Sequence, residues 1–136
     1  MDSAILDASY ARLFGPSKDA DAFFAAFYQK FLRDAEVARL FGKTDMDRQI
    51  SMLKRSAFQL IYFHATNTPS SALEHIAEVH HRLGVPGHLY DHFLDCFAET
   101  VAERDPEADI VTELVWRLAL TPGITYMKLW AEFHSE

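Results

Sequence analysis

The chain has 136 residues, 49% of them apolar, enough for one domain around one buried core. Twenty acidic against 13 basic residues give a formal net charge of -7, which argues against nucleic-acid or anionic-membrane binding, since either needs a positive face. The lone Cys96 excludes an internal disulfide, no apolar run approaches the roughly 18 residues of a membrane span, and Met1 to Ser9 mixes acids with Ile5 and Leu6 where a leader would be apolar, so a cytoplasmic protein is expected.

Glycine and proline at Gly15-Pro16, Gly42, Pro69, Gly84 to Gly87, Pro106 and Pro122-Gly123 divide the chain into segments whose apolar residues recur every three or four positions. That pattern predicts an all-α fold, with helices over 3–14, 19–34, 36–41, 45–65, 71–83, 87–104 and 107–133. Runs of β-branched residues bounded by turns are missing, so no sheet is expected. Ser71 with Glu74 three later reads as a capping box for the fifth helix, which Gly84 stops, and Pro86 opens the sixth. Asp105-Pro106-Glu107 reads as a cap, a first-turn proline and a first-turn acid. Pro122 should kink or interrupt the last helix, because its ring crowds the carbonyl of Leu118.

Several side chains stand out within these helices. In EHIAEVHHRLGVPGHLY, His80 shares a face with Leu73, Ile76, Ala77 and Leu83, whereas His81 sits above Glu74 and Glu78, so His80 points inward and His81 outward. An inward imidazole needs a partner at each ring nitrogen: backbone, side chain or metal. Tyr28 lies with Phe24, Phe31 and Leu32 on an apolar face, its hydroxyl directed into the core toward either a carbonyl or a ligand. Gln49 places an amide at the edge of the apolar stripe of Met46 and Leu53. His88 and His92, four apart, fit a solvated face, since no HExxH or paired-cysteine spacing supports zinc. Cys96 among Phe93, Leu94 and Phe97 reads as a buried thiol. Eleven phenylalanines suit a pocket for a large flat ligand as well as an ordinary core.

Taken in order, FFAAFYQKFL, LFGKTDMDRQISML and HHRLGVPGHLY in an all-helical chain of this length resemble the bacterial globins, single-domain and truncated ones, with a relation to the globin domains of gas sensors. The resemblance covers nearly all of residues 1–136 and implies a single globin-like domain enclosing a b-type haem. It implies His80 as the proximal iron ligand, four residues before Gly84-Val85. It further implies Tyr28 and Gln49 as distal residues facing the gas ligand, with Leu53 one turn beyond Gln49. Phe41, four residues before Asp45-Met46, matches the family's haem-packing phenylalanine. Phe93 stands where many truncated members carry tryptophan, and Val85 belongs to the proximal turn. Paired glycines found in truncated members after the Gln49 helix are missing.

The resemblance thus implies a haem protein that reversibly binds dioxygen, nitric oxide and carbon monoxide. A phenol and an amide aimed at a ligand that takes on negative charge hold it by charge-assisted hydrogen bonds of roughly 1.5–3 kcal/mol, which suits slow release over bulk delivery. Nitric oxide oxidation of the dioxygenase type needs electrons from a separate reductase, because no dinucleotide fingerprint is present. A haem-based gas sensor signalling through a partner protein is the alternative, and a haem-free globin-like scaffold, with His80 only a core residue, a third.

Overall fold

A computed structural model describes residues 3–15, 20–42 and 44–134, and among them every regular element is a helix. We number these α1 (Ser3–Phe14), α2 (Ala20–Phe31), α3 (Ala35–Leu40), α4 (Met46–Thr66), α5 (Ser71–Arg82), α6 (Gly87–Arg104), α7 (Ile110–Lys128) and α8 (Trp130–His134). Pro16 of the expected first break and the expected start of α2 at residue 19 lie outside the described residues.

Local chemistry explains most of the boundaries. Asp34 and Asp45 adopt extended backbone, and their carboxylates accept from the first free amides of α3 and α4. Asn67 ends α4 in the left-handed region at φ 54°, which asparagine tolerates better than most residues. Gly84, at φ 70°, turns the chain out of α5, and Pro86 precedes α6 as its N-cap.

Three expectations need correction. Ser70, rather than Ser71, caps α5: it has the extended backbone of a cap, and its hydroxyl accepts from the Leu73 amide at 3.0 Å while donating to Gln59 on α4. Asp105 does not start the last long helix. It ends α6, because its carboxylate is recruited by α1, and Asp109 caps α7 instead, sharing a reciprocal box with Thr112. Nor does Pro122 interrupt α7, which runs unbroken from Ile110 to Lys128 and gives way to α8 only at Leu129. The roughly 3 kcal/mol that an interior proline costs is offset by the burial of Trp116, Leu120 and Ile124 along the same helix, each side chain contributing about 1.5–3 kcal/mol.

Helix α7 is the central support, packed on α4, α5, α6 and α1, while α2 lies across α6 and α4. Trp116, Phe23, Phe27 and Phe97 fill the middle with no more than 1% exposure. Where α7 crosses α4, Gly123 faces Leu60 so closely that a Cβ would stand 2.6 Å from Leu60 Cδ2. At the opposite end a polar node ties three helices together. Ser9 donates to Asp105 at 2.6 Å, Arg12 donates from Nε and Nη2 at 2.6 and 2.9 Å, and Trp116 Nε1 donates to Ser9 at 2.8 Å.

Candidate haem pocket

His80 and His81 occupy opposite situations, as the facing argument expects. His81 is exposed, with its ring 5.2 Å from that of Trp130, whereas His80 is half-buried. The Nδ1 of His80 lies 2.8 Å from the Ile76 carbonyl. A carbonyl only accepts, so Nδ1 carries the proton and Nε2 keeps its lone pair. Burial pushes the imidazole below its ordinary value, outweighing the Ile76 bond that favours the charged ring. The side chain is therefore a neutral, oriented nitrogen donor, the state a metal requires. Val85 steadies the end of this helix by donating its amide to the His80 carbonyl at 3.3 Å.

Tyr28, Gln49 and Phe41 come together from α2, α4 and the turn after α3. Burial pushes the Tyr28 phenol up to about 12, opposed by a hydrogen bond with the Gln49 side chain, so the hydroxyl remains a proton donor at neutral pH. The Phe41 ring lies 5.9 Å from that of Tyr28 and 6.2 Å from that of Phe31. Phe93 joins the same aromatic wall, 5.1 Å from Phe27 and 5.9 Å from Phe31. Leu53, one turn along α4 from Gln49, is buried beside it in the core.

His80 is not part of that aromatic cluster; its ring lies 6.3 Å from Tyr90, a buried phenol that burial also raises to about 12. A cleft of about 490 Å³ opens between α4 and α5, lined by Met52, Arg55 and Ser56 on one side and Ala72, His75 and Ile76 on the other. That volume falls within the range of small-molecule and cofactor sites. Sequence reasoning overlooked Tyr90 and every cleft residue but Ile76. The cleft was findable by stepping back from His80 in fours to Ile76 and Ala72, while nothing marked Tyr90.

The other candidates are engaged elsewhere. His88 Nε2 meets Glu36 at 2.7 Å and His92 Nε2 meets the Phe31 carbonyl at 3.2 Å, so the two imidazoles face different partners. His92 is half-buried and stacked on Phe31 at 5.2 Å, a correction to the solvated face expected for it. Burial pushes the Cys96 thiol up to about 11, with Glu99 and Asp95 adding to the shift, which suits an unreactive thiol.

Helix order, the α5–α6 turn behind His80 and the aromatic wall together define the class of fold: it is globin-like, and it is similar to that of a bacterial protein. No family model matches the sequence, and no curated protein does. Among solved structures it is similar to a Pseudomonas aeruginosa PAO1 protein characterised as structurally highly homologous to a human hemoglobin. The likeness has a TM-score of 0.83 at 28% identity and covers 94% of this chain and 96% of that one. No helix among the described residues is long and apolar enough to cross a membrane.

Proposed function

We propose that the protein binds one b-type haem and, through it, reversibly binds a diatomic gas: dioxygen, nitric oxide or carbon monoxide. The observation that carries this reading is the state of His80, with Nδ1 committed to the Ile76 carbonyl and the Nε2 lone pair left for a metal. The likeness to a haemoglobin-like protein supports it. Haem, when bound, supplies an iron with one coordination position for the gas.

The chain's own side chains do the rest. His80 holds the iron and is kept in one tautomer and orientation by Ile76. Phe41, Phe93, Leu53 and Val85 supply apolar surface for the macrocycle and exclude water. Tyr28, protonated at neutral pH, donates a hydrogen bond to the gas ligand, and Gln49 orients the phenol. Nitric oxide oxidation, as a cytoplasmic activity of this site, would draw electrons from a separate reductase.

The test is titration of the purified chain with haem, followed by absorbance. The expected result is saturation at one haem per chain and a carbon monoxide difference spectrum typical of histidine-ligated ferrous haem. Failure to take up haem, or a carbon monoxide complex lacking a histidine ligand, overturns the proposal.

A further inference from the structure

The outward face of α7 departs from that of its neighbour. Its exposed residues from Ile110 to Thr125 are Ile110, Val111, Leu114, Leu118, Thr121 and Thr125, and none of them is ionisable. On α6 the exposed face carries Asp91, Asp95, Glu99 and Glu103 instead. Ile110 is 81% exposed, and Val111, Leu114 and Leu118 lie between 39% and 44%. Ile110, Leu114 and Leu118 are spaced by four and Val111 stands seven before Leu118, so the four side chains form one stripe.

The core does not use this stripe. The opposite side of α7 already fills the interior with Val115, Trp116, Ala119 and Leu120, none more than 4% exposed. A helix that is apolar on both sides is one that something covers on both. Four neighbouring branched side chains expose on the order of a few hundred Å² of apolar surface, the size at which a patch marks an association site.

Charge and symmetry decide the occupant. Two chains of formal charge -7 repel each other, so self-association needs a face without charge, and this stripe supplies one. Antiparallel pairing about a two-fold axis at Leu114 sets that residue against its own counterpart and Ile110 against the copy's Leu118, apolar against apolar. Glu113 and Arg117 flank the stripe along one edge and hold each other at 3.2 Å, and the same axis brings each beside the opposite charge of the copy. Helices about 8–10 Å apart would interdigitate these stripes, making the dry centre of an interface of about 800 Å² per chain.

We propose that the protein forms a two-fold dimer through α7, in which a second copy of the chain covers Ile110, Val111, Leu114 and Leu118. The inference is independent of the haem reading, since His80, Tyr28 and Gln49 stand on other helices and the pairing needs no cofactor.

Sedimentation of the full chain tests the pairing. The unaltered protein should sediment at twice the chain mass at about 100 µM, where even a dimer of micromolar Kd is mostly formed. Leu114→Glu and Leu118→Glu each bury a charge at the contact, and both should sediment as monomers with helix content unchanged by circular dichroism. Leu83→Glu, at a more exposed leucine outside the stripe, should leave the dimer intact. Because the axis passes at position 114, Leu114→Cys should also join two chains by a disulfide under mild oxidation, whereas Leu83→Cys should not. An unaltered chain that sediments as a monomer would overturn the proposal and leave the stripe to another protein. A dimer that survives both glutamate variants, or equal cross-linking at positions 114 and 83, would overturn it as well.

Discussion

At the scale of single residues, two adjacent imidazoles provide the test of the proposed ligand. His80→Ala should abolish haem uptake or remove the iron–imidazole stretch in resonance Raman spectra, and His81→Ala, which alters only an exposed ring against Trp130, should retain both. An intact proximal signal in His80→Ala would mean another ligand. On the proposed gas side, where Tyr28 would donate to a charged ligand, Tyr28→Phe should remove one hydrogen bond of about 1.5–3 kcal/mol, which at 1.36 kcal/mol per tenfold would speed dioxygen release by about 10- to 150-fold. Carbon monoxide, carrying little charge, should respond far less. Because Gln49 and Tyr28 touch, Gln49→Leu should act in the same direction, more weakly, and the double variant should fall short of additivity. Stopped-flow dissociation measures all four forms; an unchanged rate in Tyr28→Phe would leave its hydroxyl a role in the fold alone.

At the scale of helices, the crossing of α7 over α4 depends on a missing side chain. Gly123→Ala would bring a methyl group to 2.6 Å from Leu60 Cδ2 and 3.2 Å from Leu60 Cα, so the helices must part. We expect a loss of about 1–3 kcal/mol in urea unfolding. Trimming the partner in Gly123→Ala/Leu60→Ala should cost less than the sum of the two single changes. An additive result would show that the helices adjust independently. This crossing was not legible in the sequence, where Pro122-Gly123 reads as a breaker; local propensity yields here to packing along a helix buried for most of its length. By contrast α5 and its exit were legible, since Gly84 and Pro86 act through backbone geometry that needs no tertiary partner. His80 was legible for a related reason: helical spacing alone sets which way it faces. The Tyr28–Gln49 contact was foreseen only through resemblance, because it joins α2 to α4 across 21 positions that no local pattern connects.

For the molecule as a whole, the Asp105 node links pH to stability. Burial raises the Asp105 carboxyl, but hydrogen bonds from Arg12, Ser9 and the Glu107 amide, with the Arg12 charge, outweigh it and hold the group below its ordinary value. Its contribution is therefore fully present above the unfolded value of about 3.9 and is lost as pH falls through the lower folded value. Asp105→Asn should lower stability at pH 7 by about 1.5–3 kcal/mol and flatten the acid limb of the stability curve below about pH 4. An unchanged acid limb would assign acid unfolding to other carboxylates. The role was hidden in the sequence, since an aspartate before Pro-Glu reads as a helix cap, and only assembly brings Ser9 and Arg12 to it.

The same node sets a timetable. Ser9 and Asp105 are 96 positions apart, so α1 cannot be secured until nearly all of α6 has been made. At roughly 5–20 residues per second, a ribosome leaves Ser9 and Arg12 without Asp105 for roughly 5–20 s. Refolding in solution faces the equivalent delay as entropy, about 4 kcal/mol to close a loop of that length. Pulsed hydrogen exchange during refolding should accordingly find the amides of α6 and α7 protected before those of α1. Helix α1 waits for this node across most of the chain, and any factor that shields nascent apolar segments has a long task there.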